Sequence, residues 1–534
     1  MLSIVGVLLV TVMHPRSAYT SDEGAYALQA VALQEGHWAY DHRLAEYDDA
    51  RGSRFPLVNS DRGGDDWFAY TRHPLWPTVL AASGSLVGNE LGFHLPSLLG
   101  ALGAACAAWC LAGAMHDRAA RPAFWLLAAG PLLAHGFLTW AHAPFAAISG
   151  FALVLALRAS EGRGGRTVVL GCGALLAVGL LLRSEGIFVT AAIGLVVALE
   201  VGRRTGLAAG LRTLAYLGLP AVLVLLLERA WVSSILGASV VAPASPAGPG
   251  PIGATSSYLT GRVSGATNTL LAGTYIGGSA PWILALAALV VPVLAILALR
   301  RGGPRLDVVI GLAAASCLLL IRVAIAPGEP IMGFLPAWPL VVVGLALAGG
   351  WLWRGRPALL VRASLVVLLA VLATQYPEGG GLDWGGRFLA ALWVPAAALA
   401  AAGVAVGWDA WRSDLRGVAI RGGVVLGVAS ALVSVTALAT VRTRHERLIA
   451  DIESTASTVA ISTVPSVPRL AWRTHDDTGW LIADPDDLGG LTRRMAADGI
   501  DLVTIVHPLR PTSTGFAEVE VVGDGVWLLS APNR

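Results

Sequence analysis

Residues 388–407 read FLAALWVPAAALAAAGVAVG, a run without a single charge. As a helix rising 1.5 Å per residue it covers about 30 Å, the thickness of a bilayer's hydrocarbon core. Comparable runs recur along the chain, at 95–115, 122–140, 145–158, 167–182, 187–201, 213–231, 282–299, 307–326, 334–353, 357–375 and 422–441. With a shorter apolar stretch at 1–13, the pattern predicts about 13 transmembrane helices. Over the 534 residues, 55% are hydrophobic and 13% charged. A soluble domain carries about 25% charged residues, so the expected class is an α-helical polytopic membrane protein. The opening run is short for a span and lacks both a basic flank and a small-residue cleavage site. That favours a true N-terminus upstream of Met1 over a signal peptide.

Arginine placement sets the expected orientation. All 37 basic residues are arginine, a bias that, with abundant Ala, Gly and Val, suggests a GC-rich bacterial genome. Alternate short loops carry Arg118 and Arg121; Arg158, Arg163 and Arg166; Arg203, Arg204 and Arg212; Arg300, Arg301 and Arg305; Arg354 and Arg356; Arg412, Arg416 and Arg421. The positive-inside rule makes these loops cytoplasmic. A transmembrane domain is expected over 1–441, with extracytoplasmic loops at 14–93 and 232–281, and an extracytoplasmic α/β domain over 442–534. In the tail, TVAIST (458–463) and DLVTIVHP (501–508) read as strands flanking a helical DLGGLTRRMAADGI (487–500), and FAEVEVVGDGVWLLSA (516–531) as a hairpin. The 232–281 loop holds APASPAGPGPIG (242–253), a Pro/Gly-rich mobile segment or lid. Cys106, Cys110, Cys172 and Cys317 all lie in apolar runs, so they read as small buried hydrophobes, with no disulfide or zinc site. There is no inverted-repeat symmetry of the transporter kind.

Charges at the end of an apolar helix carry the functional signal, because burying them is costly. The first loop opens with TSDEGAYALQAVALQEGHW (20–38), in which Asp22 and Glu23 start an amphipathic helix with Tyr26, Leu28, Val31 and Leu33 on its apolar side. Taken alone, the acidic pair reads as complementing a helix dipole. A second amphipathic run, HPLWPTVLAASGSLVG (73–88), is too short to span and suits the membrane interface. Two later turns follow outer span ends: LLLRSEGIF (180–188) and GGGLDWGGRFLAALWVP (379–395).

The order of these segments resembles the GT-C superfamily, in its protein-mannosyltransferase and lipid A aminoarabinose-transferase-like branch. Members show an Asp-Glu pair after one span, a Gly-x-Trp (here Gly36, His37, Trp38) and a Pro-Pro-Leu-Tyr (here His73, Pro74, Leu75). Residues 180–188 resemble the family's Thr-Arg-Pro-Glu turn and residues 379–395 its Trp-Gly-x-Arg-Tyr turn. The resemblance covers 1–441 and implies a GT-C fold and an inverting transfer of sugar from a polyprenyl-phosphate donor. It makes Asp22 the general base and Glu23 its supporting neighbour; Arg387, at the outer mouth of a span after a Gly-rich turn, suits a grip on the lipid phosphate, with snorkelling to the headgroups as the rival reading. Arg183, Glu185, Arg322, His73, Tyr26 and Trp384 are further candidates for donor or substrate contact; for Arg183 with Glu185, and for Arg322 with Glu329, a structural ion pair is the rival reading. Asp65 and Asp66 read as a solvated acidic face. Relatives carry a second acid after the third span, where this chain has WAHAPFAAI (140–148) and a histidine, His142. That departure leaves metal dependence open, with His142 and His73 as the candidate ligands of a divalent ion. The implied setting is the bacterial cytoplasmic membrane with an outward-facing site. The implied partners are a polyprenyl-phosphate sugar, an extracytoplasmic glycan, lipid or protein acceptor, and membrane lipids, with no nucleic acid. A transporter or flippase of lipid-linked glycans, or a ligase using a lipid-pyrophosphate donor, is the alternative.

The topology has a direct test. A reporter that is active only in the cytoplasm, fused after Arg534, is expected to be silent; a bright signal would invert the orientation.

Overall fold

The computed structural model describes residues 18–236, 333–374, 386–410 and 413–530, apart from short stretches at 39–41, 50–52, 57–61, 64–65, 68–72, 131, 512–513, 515 and 517, and adds a few residues between 262 and 270. Among the described residues, eight helices are long and apolar enough to cross a membrane. The chain is therefore a multi-pass helical membrane protein with a small C-terminal sheet. The expected spans 1–13, 282–299 and 307–326 lie outside the described residues.

The membrane part begins with α1 (Ser21–Gln34) and α2 (Leu75–Val87), both on the first loop. Helices α3 (Leu95–Met115), α4 (Ala120–Ala128), α5 (Leu132–Phe137), α6 (His142–Ser160), α7 (Gly165–Leu182), α8 (Gly186–Thr205) and α9 (Leu207–Leu236) follow. After the gap come α10 (Pro339–Ala348), α11 (Gly355–Thr374), α12 (Ala390–Gly407) and α13 (Ser413–Ser454). The expected span 122–140 is divided between α4 and α5, with Gly130 and Pro131 between them. Proline lacks the amide that would continue an α-helix and its ring clashes with the preceding turn. Helix α12 is the hub, touching α3, α4, α6, α10 and α11. Its alanines 397, 398, 400, 401 and 402 are buried, and such small side chains let backbones approach where lipid offers no hydrophobic drive for association. Cys172 is buried, its thiol donating to the Ala152 carbonyl at 3.2 Å. Cys106 and Cys110 correct an expectation: both are exposed on α3, where an apolar side chain is equally content facing lipid.

The ends of the bundle are chemically distinct. At one end the loop arginines meet: Arg118 pairs with Asp409 at 2.6 Å, Arg416 donates to the Asp409 carbonyl, and Arg356 binds Glu161 and the Ala114 carbonyl. At the other lie the N-terminus of α1, the α5–α6 and α7–α8 connections and the start of α12.

Helix α13 joins the membrane part to the tail. Its 42 residues make it about 63 Å long, twice the hydrocarbon core, so one continuous helix runs through position 441 and beyond. Beyond it, β1 (Val459–Ser462), α14 (Val467–Leu470), β2 (Gly479–Ile482), α15 (Leu488–Ala497), β3 (Leu502–Val506), β4 (Glu518–Gly523) and β5 (Val526–Ser530) complete the fold. The sheet order is β2-β1-β3-β5-β4, with β1 parallel to both neighbours and β5 antiparallel to both of its own. Alternate residues of a strand face opposite sides, and both faces are covered here. Val459 and Ile461 pack with Leu491 and Met495 of α15; Ala460 and Trp480 pack with Ile449 and Ile452 of α13. Strand β2, with sequence GWLI, is too short for its alternation to stand out in the sequence. Leu44 and Tyr47 of the first loop complete the α15-side core, and the Ile482 amide donates to the Arg54 carbonyl at 2.8 Å. Loop and tail, distant in sequence, thus fold against one another.

Candidate functional site

The site is built on the first turn of α1. Thr20 caps the helix and forms a capping box with Glu23: the Thr20 amide donates to Glu23 Oε2 at 2.7 Å and Glu23 N to Thr20 Oγ1 at 3.4 Å. The second oxygen, Glu23 Oε1, accepts from the Thr139 amide at 2.6 Å and from Thr139 Oγ1 at 3.2 Å, on the α5–α6 connection. Glu23 is only 1% exposed. Burial pushes its carboxyl up to about 7, against the pull of the hydrogen bonds from Thr139 and Thr20. Through these bonds Glu23 clamps α1 to the α5–α6 connection.

With Glu23 turned inward, Asp22 faces the other way and keeps 37% of its side chain exposed. Arg387 Nη1 donates to Asp22 Oδ2 at 2.9 Å. This arginine opens the turn before α12, directly after Gly386 at φ 65°, where an added Cβ would stand 2.9 Å from Phe334 Cβ. The guanidinium lies 4.8 Å above the Trp140 ring and 5.2 Å from the Phe388 ring, a cation–π seat. Trp140 is itself fixed, its Nε1 donating to Thr20 Oγ1 at 3.0 Å. Thr20, Glu23, Thr139 and Trp140 therefore form one closed support beneath the Asp22–Arg387 pair. Burial raises the Asp22 carboxyl, but the charges of Arg387 and Arg469, the Arg387 hydrogen bond and the charge of Arg183 outweigh it and hold it below the ordinary aspartate value.

Arg183 and Glu185 form the two-pronged pair, with Nη2–Oε1 at 2.6 Å and Nε–Oε2 at 3.1 Å. Glu185 is buried; burial raises its carboxyl, and the charge and hydrogen bonds of Arg183 more than reverse that. The pair is a structural joint at the α7–α8 turn, and Arg183 still lies within electrostatic reach of Asp22. His73 takes the left-handed φ of 55°, uncommon for a side-chain-bearing residue, and its Nδ1 lies 3.3 Å from Glu228 Oε1 on α9. Trp38 meets Trp231 edge-on at 4.8 Å, a second tie between the first loop and α9. His142 is buried against Trp140 and His135, with ring centroids 5.0 and 5.6 Å away. Its two ring nitrogens have no hydrogen-bond partner among the described residues. No group of three His, Cys, Asp or Glu among the described residues is arranged to hold a metal ion; His73 engages a glutamate and His142 an aromatic box.

Asp22, Glu23, Arg387, Arg183, Glu185 and His142 thus share one end of the bundle. Tyr26 lies a turn further along α1, buried in the core. Trp384, Arg322, Glu329 and Asp65 fall outside the described residues, as does the side chain of Asp66. Thr20, Thr139, Glu228 and Arg469 carry contacts that nothing in the sequence alone assigns to a site. For Thr20 a signal was present, since T-x-x-E is the sequence form of a capping box.

A cleft of about 730 Å³ lies apart from these charges, its walls almost wholly apolar, between α4, α10, α12 and α13. Trp338 lines it and also packs 6.2 Å from Trp393, which lies 4.5 Å from His135. Arg118 and Trp408 line the cleft as well, whereas Trp140, His142 and Arg387 do not.

Glu23→Gln should separate clamp from chemistry. The substitution sets an amide donor against the Thr20 or Thr139 donors, leaving one buried group unsatisfied at a cost of about 1–3 kcal/mol. A fall in Tm in detergent is expected for Glu23→Gln, with little change for Asp22→Asn. Equal Tm values for wild type and Glu23→Gln would remove the clamp.

No protein-family model and no curated protein sequence matches the chain. Among solved structures, ArnT from Cupriavidus metallidurans is similar over 100% of this chain and 98% of its own, in the apo state at 14% identity and TM-score 0.46 and bound to undecaprenyl phosphate at 16% and 0.47. The oligosaccharyltransferase AglB from Archaeoglobus fulgidus, in complex with an inhibitory peptide and a dolichol-phosphate, is similar over 94% of this chain and 68% of its own, at 12% identity and TM-score 0.44. Likenesses of this degree concern overall outline, and the chemistry has to be read from this chain's own residues.

Proposed function

We propose that the chain is a membrane glycosyltransferase that moves a sugar from a polyprenyl-phosphate donor to an acceptor hydroxyl on the extracytoplasmic side, with inversion. The observation that carries the reading is the Asp22 carboxylate 2.9 Å from the Arg387 guanidinium, at the mouth of the bundle over a buried tryptophan. Transfer to a hydroxyl needs a proton acceptor and a cation for the departing phosphate, and these are the two groups present. In the reaction the acceptor oxygen attacks the anomeric carbon while its proton passes to Asp22. The bond from that carbon to the phosphate oxygen breaks, and the electron pair leaves with polyprenyl phosphate. Arg387 meets the growing negative charge.

The resting pair fits such a cycle. The singly charged phosphodiester of the donor competes with Asp22 for the planar fork of Arg387, so donor binding releases the carboxylate toward the acceptor. Asp22, held below the ordinary aspartate value, stays ionised across physiological pH and always arrives able to take a proton. The apolar cleft between α4, α10, α12 and α13 has the character an isoprenoid tail requires. In this reading the arginine-rich end is cytoplasmic, and the site and the C-terminal domain lie outside, in a bacterial cytoplasmic membrane.

Asp22→Asn is nearly isosteric and removes one charge. Purified in nanodiscs, it should bind donor yet transfer sugar about two orders of magnitude more slowly, within the range a positioned acid or base contributes. Normal turnover in this variant would exclude Asp22 as the base. Arg387→Lys keeps the charge but loses the fork. Donor affinity should weaken by about 10- to 100-fold, the equivalent of a charged hydrogen bond at ~1.5–3 kcal/mol; unaltered donor affinity and turnover would leave Arg387 a purely structural role.

A further inference from the structure

The C-terminal domain reaches the catalytic turn itself. Helix α14 lies across α1 so closely that a Cβ on Gly24 would stand 1.7 Å from the Arg469 carbonyl oxygen. No side chain fits there, so the residue beside the acidic pair has to be glycine. Further ties hold the seat. The Ala18 amide donates to the Leu470 carbonyl at 3.2 Å, and His445 Nδ1 lies 3.0 Å from the Ala18 carbonyl. Trp472 packs 5.6 Å from Phe93, and Arg473 pairs with Glu90 at 2.8 Å. Each contact joins the tail to the first loop or to the foot of α3, around the start of α1.

From that seat the Arg469 charge joins those of Arg387 and Arg183 in lowering the Asp22 carboxyl. The groups facing Asp22 are Arg387 from the start of α12, Arg469 from α14, and Arg183 from the α7–α8 turn with its partner Glu185. Glu23 is the sequence neighbour, turned away into its clamp. We propose that Arg469 is a positioning residue of the active site, contributed by the C-terminal domain, which from its seat on Gly24 acts together with Arg387 to hold Asp22 toward the acceptor. Docking of the domain on Gly24 thereby completes the site. When the donor phosphate draws Arg387 away, Arg469 is the cation that remains beside the base. The inference rests on Asp22 being that base.

The sign follows from the charges. A cation beside a carboxylate lowers its pKa, so removing Arg469 must raise that of Asp22. The test uses full-length protein in nanodiscs, as wild type, Arg469→Gln, Arg469→Lys and Gly24→Ala. Infrared difference spectra against Asp22→Asn follow the protonated carboxyl band with pH and need no substrate; the acid limb of kcat/KM is measured in parallel. In Arg469→Gln the carboxyl band should appear about 1 pH unit higher, the low end of what a neighbouring opposite charge contributes. The acid limb should move the same way with donor KM unchanged. Arg469→Lys should restore both, and Gly24→Ala, which forces α14 off its seat, should reproduce the Gln shift. An unmoved carboxyl band in Arg469→Gln, with activity lowered equally at all pH values, overturns the proposal and leaves Arg469 a docking residue. If the band shifts as expected while wild type transfers no sugar from any polyprenyl-phosphate donor, the positioning of Asp22 by Arg469 stands and the glycosyltransferase reading fails.

Discussion

A carboxylate taken out of water costs several kcal/mol unless its oxygens are met by donors. Glu23 meets that condition with the Thr20 and Thr139 amides and the Thr139 hydroxyl. Because those donors belong to two elements far apart in sequence, satisfying Glu23 fixes the angle at which α1 enters the bundle. The rest of the site inherits that angle. Asp22 is turned outward because Glu23 is turned inward. Trp140 is held by the hydroxyl that caps the helix, and Arg387 lies on Trp140.

The electrostatics above this support are of one kind. Three guanidiniums act on Asp22 from three separate elements, and each is an arginine because the chain has no lysine. The planar group can stack on an aromatic face, as Arg387 does on Trp140, while offering two parallel donors to a carboxylate or phosphate. In the proposed reaction the cost is a weak resting base, since a carboxylate stabilised as an anion is less eager for a proton. The proposed competition of the donor for Arg387 would relieve it.

The C-terminal domain belongs to this arrangement rather than to the periphery. Helix α13 carries it past the bundle without a flexible joint. Leu44 and Tyr47 of the first loop enter its core, and α14 rests on Gly24. A boundary drawn between a membrane domain and a tail follows the change in hydropathy but cuts through one helix and separates groups that pack together.

Much of the architecture was legible in composition and periodicity. Apolar runs such as 95–115 and 388–407 can only be membrane helices, since in lipid every backbone polar group must be satisfied within the element. The hairpin around Gly523, Asp524 and Gly525 and the helix at 488–497 follow from local pattern and turn chemistry in the same way. Asp22 and Arg387 stood out as candidates, because charge at the end of an apolar helix is expensive and the resemblance gave both a part, and the structure pairs them. What the sequence could not determine is which charge meets which. Glu23 beside Asp22 reads as a supporting neighbour, and only Thr139, more than a hundred residues away, shows what its oxygens meet. Arg183 and Glu185, two residues apart, close on one another. Arg469 had no local signal, being one arginine in a polar tail, and the place proposed for it depends on a close approach at Gly24. Helix and span formation are settled by neighbours along the chain, whereas the pairing of buried charges depends on distance in space, and that is decided only when the elements pack.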